Sequence, residues 1–536
     1  MEFMQIKPIT ISTLSPVHIG CDEDYVPTNF VIKNNLLHYF DIVNLADELT
    51  EAERGTLGNQ QTIGAVQQFF KSRRERLVPL ASHLVEVVSD IDREFEEKAG
   101  KPTQQGAGGA PTYNLFPIAR TAYNPLDAAP YLPGSSLKGS MRTAWLNAVN
   151  KGQYLQAADK IDKKNINRTL QQRLLGYTSG KFENDPLRHL LVADAHHPEN
   201  GEPAPAQVLY AVSKKKRPSE RSTPELKVFL EMVHGLLNDA FAGELRFTGD
   251  KITWAKLCDA CNEFYFPQLQ AELAHTHLSP MLDTAWRALL NSLLNDELNE
   301  LRQQRQGFLL RVGKHSGAES VTLNGVRDIK ILGKQGDPPS YRPETTEKRF
   351  ASQTKKAESG LLPFGWVWVE SCDDSYQHVS RSFRDKLQPH ASKVREAQRE
   401  RLQHLDEARQ IRVLAALQAK QQRQQAEAEA RQQAAKAAAH QIALASMTPN
   451  QRQTEAFKSA FAAREEQLRG NKESMNGDFH NRARKIAQDA LAATDWTSEE
   501  KRALADAIAE WLPKVVQGMD KDQLKKLKLS SLRGQV

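Results

Sequence analysis

Two short stretches combine glycines, hydroxyls and basic side chains in the way a phosphate group requires. Residues 131–146 read YLPGSSLKGSMRTAWL, with small residues and cations placed where a helix begins. A helix start leaves backbone N–H groups without partners and carries partial positive charge, which favours an anion. Gly134 lets a ligand approach the backbone, and Ser135 or Ser136 can cap the helix. Lys138 and Arg142, four residues apart around Gly139, share one helical face. The second stretch, RVGKHSGAESVTLNG, sets Arg311, Lys314, His315 and Ser316 among Gly313, Gly317 and Gly325. Each stretch alone is also compatible with a plain structural role, a tight helix entry in one case and a strand bend in the other.

Other residues bear on chemistry. His18, in SPVHIG with Gly20, could be a general base for RNA cleavage beside Lys138 and Arg142, or could order a strand end without chemistry. Cys258 and Cys261 form C-x-x-C, followed by His275 and His277, but zinc fingers want three to five residues between the histidines. Their segment reads as helix, where small thiols pack inward, so no metal site is expected. Asp194, ending the strand LLVADA, is expected to receive backbone N–H groups. The stretch LKGS is not a P-loop, because its lysine precedes the glycine, and no H-E-x-x-H or G-x-S-x-G motif occurs. No catalytic residue and no cofactor is therefore assigned.

These residues need elements to position them. The 536 residues imply two or three domains. MQIKPITISTLSPVHIG reads as a strand carrying Ile6, Ile9 and Ile11, and FVIKNNLLHYF as a hairpin turning at Asn34-Asn35. Residues 42–98 read as helices, 99–112 as a loop, and 208–225 as a strand running into a basic loop. Residues 252–305 read as largely helical, 307–325 as strand, loop and strand, and LLPFGWVWVES (361–371) as a closing strand. From about Asp373 the composition changes, and the run REAQRERL…QIALA (395–445), rich in Ala, Gln, Arg and Glu and without Gly or Pro, predicts one long helix. In 447–536, TSEE (497–500) is a capping box ahead of an apolar face of Leu504, Ile508, Trp511 and Leu512.

The net charge of +6 is concentrated. Residues 375–446 hold thirteen lysines and arginines against seven acidic residues, leaving the first 374 slightly acidic. A nucleic-acid site there has to be a local patch. Four cysteines make no disulfide framework. No apolar run of about 18 residues and no export segment is visible, so a reducing cytoplasm and no membrane are expected.

LSPVHIG, LPGSSLKGSMRTA, DPLRHLLVADA, LLRVGKHSGAESVT and LPFGWVWVE, in this order, resemble the RAMP superfamily of CRISPR proteins. The likeness points to its branch that supplies the fifth subunit of type III-A (Csm) effector complexes. That resemblance covers roughly residues 1–371 and implies an α+β protein of RRM-like, ferredoxin-type βαββαβ modules with helical insertions. It makes residues 1–372 a crRNA-binding core with an insertion at 42–112; beyond the usual end of the family pattern, composition alone marks a long basic helix or linker (373–446) and a helical domain (447–536).

The function it implies is a non-catalytic subunit capping the 3′ side of the crRNA, supporting crRNA maturation and assembly. Its partners would be crRNA, target RNA and the neighbouring backbone RAMP subunit. Carried over by motif, the RNA-contacting residues are His18, Gly20, Gly134, Ser135, Ser136, Lys138, Gly139, Arg142, Arg311, Gly313, Lys314, His315, Ser316 and Gly317. Two alternatives stand beside it: a metal-independent RAMP endoribonuclease using His18, and a scaffold acting through its C-terminal helices.

Overall fold

The computed structural model describes residues 4–105, 111–160, 162, 164–178, 180–218, 228–331, 338–372 and 377–534. They form two compact units, Met1–Arg412 and Val413–Val536.

Strand β1 (Gln5–Thr13) buries Ile9 and Ile11 and lies in the middle of a five-stranded sheet. After it come α1 (Gly134–Asn150), β2 (Leu190–Val192), β3 (Leu237–Phe247), α2 (Trp254–Leu273) and β4 (Trp366–Ser371). The sheet order is β4-β1-β3-β2, with every pairing antiparallel. This is the ferredoxin-type βαββαβ arrangement, with helices crossing between non-adjacent strands. One further strand, Gly307–Arg311, extends the sheet beside β4. It feeds directly into the glycine-rich loop and so ties that loop to the sheet edge.

The second sheet of the same unit is built differently. Its path runs through strands 20–25, 118–121, 229–233, 206–215, 83–87, 36–39 and 30–33, with two parallel pairings. The hairpin expected at Asn34-Asn35 is present, both residues being left-handed with φ of 55° and 60°. The reading of 42–98 as all helix needs correction. His83–Val87 is a strand, paired antiparallel with Leu36–Tyr39 and parallel with the strand at 206–215. Those distant partners override a local sequence that continues a helical region.

Residues 102–105 and 111–113 pair within the expected 99–112 loop, whose residues 106–110 lie outside the described residues. Likewise, the lysines at 214 and 215 extend a strand, while 219–225 of the expected basic loop lie outside the described residues. The second strand expected after the glycine loop is replaced by a 3-10 turn at Ala318–Ser320.

Helix α3 (Gln377–Ser446) is continuous, as its composition predicts. Its first part buries Val379, Phe383, Leu387 and Ala391 in the main core. Arg384 pairs with Asp239 at 2.8 Å, Arg401 with Glu86 at 2.9 Å, and Leu405 packs with Val31 and Phe40. From Val413 to Ser446 its side chains are exposed apart from the half-buried Leu444. In the second unit, α4 (Pro449–Leu468), α5 (Asp478–Ala492) and α6 (Ser498–Val515) enclose Phe461, Ala487, Leu504, Ile508 and Leu512. Thr497 and Glu500 form the reciprocal capping box that TSEE predicts. Among the described residues no helix is long and apolar enough to cross a membrane.

Candidate nucleic-acid interface

The two glycine-bearing stretches, 170 residues apart in sequence, face each other. Gly20, Ser136, Gly139 and Ser140 on one side and Gly313 and Lys314 on the other line a groove of about 470 Å³. Their junction is a direct bond, Ser140 Oγ donating to the Arg311 carbonyl at 2.9 Å. The glycine loop is also fixed to the end of the first-strand segment: the Lys314 N–H donates to the His18 carbonyl at 2.8 Å. Gly313 has a φ of +78°, and a Cβ there would sit 2.3 Å from that carbonyl oxygen. Only glycine combines this backbone with this approach. Lys314 is exposed, and its ammonium has no hydrogen-bond or ion-pair partner among the described residues.

The helix entry is organised otherwise than its sequence suggests. Pro133 is the N-cap residue, so neither Ser135 nor Ser136 caps α1. The capping oxygen comes from another strand end: Asp194 Oδ1 accepts the Gly134 N–H at 2.7 Å. Gly134 itself is buried, with a Cβ position 2.3 Å from the Val192 carbonyl oxygen. This glycine serves close packing of α1 on β2, and its amide is already taken. Asp194→Ala is expected to lower stability by about 1 kcal/mol, the usual loss of a cap, measured by urea denaturation.

The expected cations also divide. Arg142 Nη1 lies 3.1 Å from Asp185 Oδ2, and the same guanidinium donates twice to Gln171 Oε1 at 3.2 Å. Lys138 sits beside Asp185 and Arg142, its pKa drawn down by partial burial. Both point off the groove, because Ser136, Ser140 and Thr143, at helical spacings of four and three, define the face that lines it. Ser135 is exposed and does not line it.

Arg311 is not a free cation. It is 3% exposed, with Nη1 3.0 Å from Glu272 Oε2 and Nε donating to the Phe364 carbonyl at 3.0 Å. Lys348 reaches the same Glu272 oxygen at 2.8 Å. The residue touches the groove wall while its charge is spent inside the fold.

Burial favours the neutral form of both His18 and His315. His18 is 0% exposed, and burial lowers its pKa, with Lys314 nearby adding to the effect. Its Nδ1 lies 2.6 Å from the Glu231 carbonyl, which can only accept, so Nδ1 holds the proton. Nε2 then has a lone pair and no partner, under Gly20. A general base must reach the proton it removes, and a fully buried ring does not. His315 is held down to about 3 by burial and the charges of Arg349 and Lys314, and packs against Phe364. Ser316 Oγ donates to the Gly313 carbonyl at 2.7 Å, shaping the loop from within, and Gly317 (φ +85°) turns the chain out of it.

Cys258 and Cys261 are buried in α2, where burial pushes both thiols up, and Cys258 Sγ donates to the Arg305 carbonyl. The His275 Nδ1 accepts the N–H groups of His277 and Leu278. Among the described residues no group of three or more His, Cys, Asp or Glu is placed to hold a metal.

The groove thus joins Gly20, Ser136, Gly139, Gly313, Lys314, Ser316 and the backbone of Arg311. It leaves out His18, Gly134, Ser135, Lys138, Arg142, His315 and Gly317. Sequence reasoning passed over Ser140 and Thr143, which helical spacing from Ser136 could have found.

Residues 10–236 match the model of the RAMP superfamily. The chain is similar to Csm5, the CRISPR system protein of Streptococcus thermophilus, at 24% identity over 144 residues, 27% of this chain. The chain spans 38% of the length of that relative. Among solved structures, a chain of a Csm–crRNA–target RNA ternary complex of a type III-A CRISPR-Cas system aligns over 68% of this chain and 100% of its own. Its TM-score is 0.42 and its identity 17%. Csm5 of T. onnurineus aligns over 67% of this chain and 99% of its own, with TM-score 0.41 and 17% identity.

Proposed function

We propose that this chain is a non-catalytic crRNA-binding subunit of a type III CRISPR effector complex, seated at the 3′ side of the guide. The observation that carries the reading is the groove itself: two glycine-bearing segments distant in sequence converge on one channel with an unpaired lysine at its rim. Glycines let a nucleic-acid backbone approach closely, and Lys314 offers one phosphate a counter-charge. The hydroxyls of Ser140 and Ser316 donate to the Arg311 and Gly313 carbonyls, so in the groove wall they shape the backbone that a strand would meet. None of these contacts reads a base, as befits a subunit that holds guides of any sequence. The RAMP segment and the likeness to a CRISPR system Csm5 support the same reading. The burial of His18 speaks against the endoribonuclease alternative.

In the proposed complex the second half of α3 and the C-terminal helical unit are the surfaces left for neighbouring subunits, the adjacent backbone RAMP subunit first among them. Lys314→Ala is expected to weaken RNA binding by a similar factor for every guide sequence. It should also lower the salt slope of log K by about 0.7, one single-strand phosphate contact. The measurement is a fluorescence-anisotropy titration of the full chain at several salt concentrations. A loss that depends on guide sequence, or an unchanged slope, contradicts the reading.

A further inference from the structure

A second and larger groove, about 910 Å³, opens beside the first. The two share Thr143 and Val321, so they are continuous across the same face of α1. From Ser136 in the first to Leu146 in the second is ten residues of helix, about 15 Å. The second groove is bounded by α1 on one side, residues 321–328 on another, and the short helix Ile166–Leu175 with its preceding turn on the third.

Its lining is strongly one-signed: Arg142, Lys164, Arg168 and Arg327 against the single carboxylate Asp328. Two of these cations are structural. Arg142 is tied to Asp185, and Arg327 binds Thr322, Asn324 and the Glu319 carbonyl. The other two are available. Lys164 is exposed, with no side-chain partner among the described residues. Arg168 makes only an exposed pair with Asp162 at 3.0 Å. Such pairs are worth about 0–1 kcal/mol, so a phosphate can displace the carboxylate. Asn167, exposed between them, adds an amide.

We infer that the RNA strand held in the first groove runs on into the second, where Lys164 and Arg168 take its next phosphates. This rests on the proposed RNA-binding reading and extends it, giving the site a length and a direction along α1. The alternative occupant, an acidic surface of a partner protein, would use the same cations but would not depend on RNA length.

The test compares Lys164→Ala/Arg168→Ala with Lys314→Ala in the full chain, using oligouridines of roughly 4 to 16 nucleotides. Both residues of the double variant are exposed, and an unchanged melting curve verifies its fold. The expected result is unchanged affinity for the shortest oligomers and roughly tenfold weaker binding of the longest. For the longest the salt slope should also fall by about 1.4, two contacts. Two results overturn the inference: equal losses at every length, or no loss at any length, the latter with lost association to neighbouring subunits if a partner protein uses these cations. In each of these the Lys314 variant still reports on the first groove. Only if Lys314→Ala also binds RNA normally does the reading beneath fail.

Discussion

Arg311→Ala is expected to destabilise the first unit by about 3–5 kcal/mol, the loss seen when one member of a buried ion pair is removed. Arg311 and Glu272 are each almost fully buried, 3.0 Å apart, and Trp366 Nε1 donates to the same Glu272 oxygen at 3.0 Å. Burial pushes the Glu272 carboxyl up, but Arg311 and Lys348 together outweigh it and hold the group below its usual value. Lys348 is itself pushed down to about 8 by burial and by the neighbouring Arg311.

Removing Arg311 leaves burial opposed by one cation instead of two, and the variant is expected to bind a proton more readily. Because the folded pKa of Glu272 is depressed in the parent, its stabilising contribution is present above the unfolded value. That contribution is lost as pH falls through the folded one. The gap between parent and variant should therefore be widest near neutrality and narrow towards about pH 4. Arg311→Met combined with Glu272→Gln should recover part of the loss, since no carboxylate is then stranded and Lys348, already pushed down to about 8, can shed its proton. Urea denaturation of all three proteins at two pH values measures this. A loss below about 1 kcal/mol, or no recovery in the double variant, would show that the pair contributes little.

Gly313→Ala is expected to cost about 2–4 kcal/mol, combining left-handed strain with overpacking against fixed backbone. The neighbour at 2.3 Å is the His18 carbonyl oxygen, which also accepts the Lys314 N–H. To relieve the clash the loop must leave the strand end, and the groove wall goes with it. RNA binding should fall along with stability. Gly139→Ala is the informative contrast. Beyond its own helix backbone and chain neighbours nothing lies within 4 Å of its Cβ position, and the residue is helical. The substitution should raise stability by about 0.4–1 kcal/mol. If the groove holds an RNA backbone, the added methyl should nonetheless weaken RNA binding. Thermal melting and RNA titration of both variants separate the effects. Undiminished RNA affinity in Gly139→Ala would place the RNA elsewhere.

Features set by local chemistry were legible in the sequence. The Asn34-Asn35 hairpin is legible because few other residues tolerate two successive left-handed conformations, and the cap at Thr497 because Thr and Glu three apart bond reciprocally. Most of the continuous α3 follows from the run at 395–445 without Gly or Pro, while its first turns carry Pro389 and are held by burial of Phe383, Leu387 and Ala391 in the core. Features set by distant partners were not. The strand at 83–87 exists because strands at 36–39 and 206–208 flank it.

The same division runs through the site. Glycine, serine and lysine announced a place where a backbone could be approached. They did not reveal that Asp194 already occupies the Gly134 amide or that Asp185 engages Arg142. Arg311, at the end of its strand, and Lys314, three residues on in the loop, look equivalent as letters. Burial against Glu272 makes the first structural and leaves the second exposed.

The proposed RNA path runs between the 134–143 helix and the 313–316 loop. Its most direct test is to express the chain with its genomic neighbours, purify on a tag placed on this subunit, irradiate the complex, and sequence both the co-purified RNA and the crosslinked peptides. The account predicts short RNAs of defined length carrying a repeat-derived 5′ end, with crosslinks in peptides covering Ser136–Thr143 and Gly313–Ser316. An intact complex that carries no RNA, or RNA crosslinked to this subunit only through other segments, would contradict it.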